Sequence, residues 1–260
     1  MEEQKVFYDS TDNIKLCGLL SQVNDDNKIV VLCHGLKADK TERKSFDVFI
    51  RKLQKQRINS FRFDFRGHGE STGEDYEMTP TKEVQDLEET IKMLNSKGYN
   101  EIIVLGASFG GSIISLMDYN KFSSIKGLIS WYGALDYLAT IEEDAFFSQE
   151  HKKIAEENGY FEIKSKRTGK AFKLGLPLFE EIYSIVPYKK LINVDLPILF
   201  VHGLADDMVP YELSVKVSHL CKNSKLELIE NGNHTFDNDV LALNKAIDVS
   251  INFAKEILSI

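Results

Sequence analysis

Cysteine is scarce in this chain: Cys17, Cys33 and Cys221 are the only three in 260 residues, far apart and with no Cys-x-x-Cys pair. An odd count in that pattern excludes a disulfide framework and a thiolate zinc site, and predicts reduced thiols in a cytoplasmic protein. Cys33 ends an apolar run and reads as core, not as a nucleophile. Long hydrophobic stretches are lacking too, and none approaches the roughly twenty apolar residues of a membrane span. The first residues, Met1-Glu2-Glu3-Gln4-Lys5, are acidic and polar, unlike a secretory signal. There is no excess of positive charge: the net charge is −8 and no basic stripe runs along the chain. That argues against non-specific binding to nucleic acid or an anionic membrane and leaves a small molecule as the expected partner. The glycines at 67, 69 and 73 are followed by no lysine–serine pair, so they make no phosphate loop. No internal repeat is present.

What is there is an ordinary globular composition, 43% hydrophobic and 28% charged, enough for a sizeable core. Two short strand-like runs, 5–8 and 14–20, flank the turn cluster Ser10-Thr11-Asp12-Asn13 and predict an N-terminal hairpin. From residue 28 onward strands and helices alternate. Strands are expected at 28–33, 58–65, 102–105, 127–131, 197–202 and 225–229, each a short apolar or β-branched run. Helices are expected at 45–56, with Phe46, Phe49, Ile50 and Leu53 on one face, and at 81–96, with Val84, Leu87, Ile91 and Leu94. Residues 112–117 are expected to start another helix, and further helices are expected at 211–220 and 240–258, the last with Leu243, Ile247, Ala254 and Ile257 inward. This rhythm predicts a mostly parallel, doubly wound α/β sheet with helices on both faces. Such sheets carry their chemistry on loops at the carboxyl ends of strands. His34, Asp64, Ser108, Asp206 and His234 all fall just after a predicted strand.

The alternation breaks over 133–190. This stretch holds an acidic helix-like piece, 140–157, and two period-2 runs, 160–164 and 170–174, about Arg167-Thr168-Gly169. Some sixty residues without strand–helix rhythm predict an inserted cap of helix plus hairpin, over a core made of 1–132 and 191–260. The cap is rich in aromatics, among them Tyr137, Phe146, Phe147, Phe172 and Phe179, expected mostly to form its own small core. Lys164, Lys166, Arg167, Lys170 and Lys173 gather on the hairpin and read as a solvated face.

The chemistry centres on Val104-Leu105-Gly106-Ala107-Ser108-Phe109-Gly110-Gly111, a Gly-x-Ser-x-Gly between a buried strand and a helix. A strand turning directly into a helix crowds its own backbone, so Gly106 and Gly110 must lack side chains. The serine is left strained and exposed at the tip, and its own amide and that of Phe109 are expected near the unpaired first turn of the helix. An alcohol needs a base, and that base an acid to hold it. Of six histidines, His234 is the candidate base, in a loop between the last strand and the last helix. Two adjacent aspartates, Asp206 and Asp207, are candidates for the acid, and the residues alone do not choose between them; helix capping is the other use for either. His34, His68 and His202 each neighbour a turn glycine and are expected to bond backbone, not metal. No feature calls for a cofactor.

The order Ser108, Asp206, His234 (nucleophile, acid, base) resembles that of the α/β-hydrolase superfamily. His202 to Pro210 is similar to its His-Gly-x-x-Asp-x-x-Val-Pro pattern, and this resemblance is what places the acid at Asp206. Asp64-Phe65-Arg66-Gly67-His68-Gly69-Glu70-Ser71 looks like its Asp-x-Arg-Gly-x-Gly-x-Ser loop. The resemblance covers nearly the whole chain outside 133–190, and the inserted hairpin-bearing cap is most like that of bacterial cinnamoyl and feruloyl esterases. It implies an α/β-hydrolase fold and an oxyanion hole made by the backbone N–H groups of Leu36 and Phe109. The chain lacks the extended His-Gly-Gly-Gly run of some lipases, which argues against large tertiary-alcohol substrates. The expected activity is a serine carboxylesterase working through an acyl-enzyme on small, first of all hydroxycinnamoyl, esters. A monoacylglycerol lipase or a thioesterase-type acyl hydrolase is the alternative within the class, and a non-catalytic binding protein on the same scaffold is the alternative outside it.

Overall fold

The computed structural model describes residues 3–141, 147–164 and 171–260. The expectations for Phe146, Lys166, Arg167, Lys170 and the turn at 167–169 fall outside these residues.

The β-branched run Lys28–Cys33 forms β3 of a sheet whose other strands are β1 (Gln4–Asp9), β2 (Lys15–Ser21), β4 (Asn59–Asp64), β5 (Glu101–Ala107), β6 (Ile125–Trp131), β9 (Ile198–Gly203) and β10 (Ser224–Ile229). A separate antiparallel pair, β7 (Tyr160–Lys164) and β8 (Ala171–Gly175), lies between β6 and β9 in the chain. The eight-stranded sheet has the order β1-β2-β4-β3-β5-β6-β9-β10. β1 and β2 form the expected hairpin and β2 joins β4 antiparallel; every later pairing is parallel.

Both faces of the sheet are covered, and the central strands show why. In β5, Ile102 and Val104 join one apolar cluster while Ile103 and Leu105 join the other. A strand that is apolar at consecutive positions can be buried only between two layers. One layer contains α2 (Pro80–Ser96) and α3 (Phe109–Leu116). The other contains α1 (Ser45–Lys55) and α9 (Val240–Leu258), with Phe46, Phe49, Ile247 and Ile251 in its cluster. The start of α2 is fixed by Thr79, whose side chain accepts the Lys82 N–H, and by Pro80 in the first turn.

The segment after β6 differs from expectation. The helix-like piece 140–157 is replaced by α4 (Tyr137–Ile141) and α5 (Gln149–Asn158), and Ser148 caps α5 by accepting the His151 N–H. Two helices with no counterpart in the expected pattern follow the hairpin, α6 (Leu176–Ser184) and α7 (Tyr188–Leu191). α6 buries Leu178, Phe179 and Ile182, one turn of helical spacing behind Pro177. The chain then re-enters the sheet at β9, runs through α8 (Tyr211–Leu220) and β10, and ends on α9. No helix among the described residues is long and apolar enough to cross a membrane.

Candidate active site

β5 and α3 meet at Ser108, whose backbone has φ 53° and ψ −117°. Few residues with a side chain adopt that region, and such strain persists only where the surroundings fix it. They do here. A Cβ on Gly106 would stand 2.3 Å from the Gly110 carbonyl oxygen, and one on Gly110 would stand 2.5 Å from that of Cys33. The turn closes because both are bare. One expectation fails: the Ser108 amide is not an unpaired helix-end donor, since it bonds the Trp131 carbonyl at 2.9 Å across the β5–β6 edge. The Ser108 carbonyl in turn accepts from Gly111 and Ala134. The amides of Phe109 and Leu36 have no hydrogen-bond partner among the described residues.

β9 and β10 run parallel, and beyond their ends the loops stay joined: Leu204 N–H donates to Ile229 and Ala205 N–H to Gly232, both at 2.9 Å. This pairing brings Asp206 and His234 together from 28 residues apart. His234 Nδ1 lies 2.9 Å from Asp206 Oδ2 and 3.1 Å from Oδ1. His234 Nε2 lies 2.9 Å from Ser108 Oγ. The imidazole can therefore donate to the carboxylate through one nitrogen while accepting the serine hydroxyl proton with the other. Tyr132 packs against this ring, with ring centroids 4.8 Å apart, and so fixes its face.

Asp206 is buried at its side chain. Burial alone would raise its pKa, but hydrogen bonds from His202 and His234 outweigh that and hold the carboxyl well below the usual range. Oδ1 also accepts the Met208 and Val209 N–H groups, each at 2.9 Å. Asp207 is exposed, and α8 has no side-chain cap, so Asp207 is the solvated member of the pair.

His202 departs in part from its expected role. It bonds a backbone group, the Val209 carbonyl at 3.0 Å, but Nε2 is also 2.9 Å from Asp206 Oδ2 and Nδ1 2.7 Å from Ser214 Oγ. The i, i+4 spacing of His202 and Asp206 was the only hint of this. His34 bonds backbone on both sides: Nδ1 donates to the Gly35 carbonyl and Nε2 accepts the Phe65 N–H. His68 Nδ1 lies 2.9 Å from the Arg66 carbonyl. Among the described residues no three or more His, Cys, Asp or Glu side chains gather as a metal site.

The β3–α1 loop supplies a residue that no sequence signal marked. Glu42 is buried, and its Oε2 accepts the Gly35 N–H at 2.6 Å. Burial pushes this carboxyl up to about 7, against the pull of the Gly35 hydrogen bond. Lys40 ties the same loop to β4, its N–H donating to Asp64 Oδ1 at 2.7 Å. A pocket opens beside Ser108 and His234, walled by Leu36, Phe109, Ala134, Phe147, Met208 and Val209. Of the aromatics expected in the cap, Phe147 is the one on this wall among the described residues; Phe172 and Phe179 are buried within the apolar cluster.

A family model described as "Serine aminopeptidase, S33" matches residues 24–145, slightly under half of the chain. The structure of Est1E from Butyrivibrio proteoclasticus, with ferulic acid bound, superposes with a TM-score of 0.82 over 98% of this chain and 100% of that one, at 24% identity. The chain is an α/β hydrolase in fold. Among curated proteins, this hydrolase-fold chain is 26% identical to the mitochondrial palmitoyl-protein thioesterase ABHD10 of Bos taurus over 179 residues, 66% of this chain and 56% of that protein. It is 25% identical to the uncharacterized protein YfhR of Escherichia coli O157:H7 over 184 residues, 70% of this chain and 55% of that one. The chain thus spans little more than half the length of the curated relatives it matches.

Proposed function

We propose that the protein is a serine hydrolase that cleaves small carboxylic esters through an acyl-enzyme. The observation that carries this reading is the continuous bonding from Ser108 Oγ to His234 Nε2 and from His234 Nδ1 to Asp206, each 2.9 Å, at the floor of a largely apolar pocket. In the proposed cycle Ser108 Oγ attacks the ester carbonyl carbon and its proton passes to His234 Nε2. Asp206 stabilises the imidazolium without taking the proton. The carbonyl oxygen, now an anion, is held by the N–H groups of Leu36 and Phe109. Collapse breaks the bond to the alcohol, which leaves with the proton from His234, and the acyl group stays on Ser108 Oγ. Water then attacks the acyl carbon, gives a proton to His234 and releases the acid; His234 returns a proton to Ser108.

Residues 133–190 act as the cap in this reading, with Phe147 set against the pocket and held by the Tyr183 hydroxyl, which donates to the Phe147 carbonyl at 2.5 Å. The apolar wall and the likeness to the Est1E structure with ferulic acid bound make hydroxycinnamoyl esters the first to test. A second reading, hydrolysis of acyl thioesters, is favoured by the likeness to ABHD10 and uses the same residues. Replacing Ser108 by Ala is expected to lower turnover of a reactive aryl ester by roughly four orders of magnitude or more. Turnover within tenfold of the unchanged protein would overturn the proposal. Esters and thioesters of matched acyl groups, assayed side by side, decide between the two readings.

A further inference from the structure

The charged side chains that line the Ser108 pocket, among the described residues, come from one loop: Lys37, Glu42 and Arg43. The ordinary partner for Arg43 would be its neighbour Glu42, but that carboxyl is turned under the loop onto the Gly35 N–H, 2.6 Å away. Arg43 is half-buried, and its guanidinium has no hydrogen bond or ion pair among the described residues. Asp237 is near enough to feel its charge, yet Asp237 accepts its side-chain hydrogen bond from Asn233 at 2.8 Å.

The backbone that presents Arg43 is unusual. Glu42, Arg43 and Lys44 have φ of 42°, 53° and 80°, three consecutive left-handed residues with side chains. Residues with side chains rarely adopt this conformation, and such strain clusters at ligand clamps. Anchors on both sides hold it: Lys40 to Asp64 and the Thr41 N–H to Asp39 Oδ1 at 2.8 Å before it, Glu42 to Gly35 within it, and after it the Ser45 hydroxyl, which donates to the Glu42 carbonyl at 2.6 Å. The result is an anchored loop that places a guanidinium on the wall of a largely apolar pocket, in a chain whose net charge is −8. A guanidinium presents paired N–H donors that match a carboxylate in a plane.

We propose that Arg43 is the specificity-determining residue of this pocket and that the preferred ester carries a carboxylate which Arg43 binds while Ser108 meets the ester carbonyl. This rests on the reading of Ser108 as nucleophile. An anion on the acyl side and one on the alcohol side are the two sources of that group.

The test compares matched esters. 4-Nitrophenyl hemisuccinate against 4-nitrophenyl butyrate probes the acyl side, and 4-acetoxybenzoate against phenyl acetate probes the alcohol side. The anionic member of one pair is expected to have the higher kcat/KM by about tenfold or more, carried by KM. Arg43→Gln is expected to cut that ratio at least about tenfold, Arg43→Lys to retain part of it, and added salt to erode it. Preference for the neutral member in both pairs, or an unchanged ratio in Arg43→Gln, overturns the proposal. Calorimetric titration of succinate and 4-hydroxybenzoate into Ser108→Ala, with and without Arg43→Gln, separates it from the catalytic reading. Arg43-dependent binding in a protein that turns over no ester sinks the esterase and keeps the anion site. Turnover without preference does the reverse.

Discussion

His202 Nε2 stands 2.9 Å from Asp206 Oδ2, the same oxygen that His234 Nδ1 meets at 2.9 Å. One carboxylate oxygen thus serves two imidazoles, one facing Ser108 and the other anchored to Ser214 on α8. In the proposed mechanism His202 is a positioning residue that sets the carboxylate and never touches substrate.

His202→Ala is expected to lower kcat by roughly ten- to a hundredfold with little change in KM, the range seen when a partner that orients a metal-bound ligand is lost. His202→Gln, which keeps an N–H donor in reach, should recover part of the loss. Steady-state kinetics on a neutral ester checks this; a rise in KM at constant kcat would mean that His202 shapes the pocket instead.

Glu42 and Asp206 should leave opposite marks on stability. Glu42 is raised to about 7 from an ordinary 4.5, so its contribution is fully present below about 4.5 and is lost as pH rises toward 7. Glu42→Gln, which still accepts the Gly35 N–H, is therefore expected to gain on the unchanged protein between pH 4.5 and 7. The gain should reach roughly 3 kcal/mol at most. Asp206 is held low, so its contribution is present above the ordinary carboxylate range and is lost as pH falls through its lowered value. The advantage of the unchanged protein over Asp206→Asn should shrink toward acid pH. Thermal melts from pH 3 to 8 read both; a Glu42→Gln difference that is flat with pH would contradict the first.

Gly110→Ala should damage the turn while leaving every polar side chain of the site in place. The added carbon would stand 2.5 Å from the Cys33 oxygen and 2.6 Å from the His34 oxygen, both backbone atoms with little freedom to move. Overpacking of that kind costs on the order of 2 kcal/mol or more. A fall in Tm of several degrees together with lost activity is expected. A Tm within a degree of the original would show that the turn is looser than its geometry implies.

The sheet was legible because its strands announce themselves locally. Runs such as Lys28–Cys33, apolar at consecutive positions, have no stable place except between two layers, and the structure has that strand at the expected residues. α8 and α9 likewise have the expected bounds, but α9 turns Ala246 and Ile251 inward while Leu243 and Ile257 are only partly covered. The inserted segment was less legible. α6 is one short turn of burial behind Pro177, too brief for periodicity to declare, and α5 starts later than its acidic run because Ser148 caps it. At the site, local sequence could not choose between Asp206 and Asp207. The difference is tertiary: one side chain is enclosed by two histidines and two amides, the other faces solvent. Glu42 carried no signal at all, since a glutamate in a polar loop reads as surface until the Gly35 N–H is seen to meet it.

Labelling by a fluorophosphonate tests the central claim most directly, because the phosphorus is attacked only by a nucleophile with a working base. Intact-mass analysis of the folded protein is expected to show one adduct, peptide mapping to place it on Ser108, and Ser108→Ala to abolish it. A folded protein that takes up no label, or a label that persists in Ser108→Ala, would contradict the account.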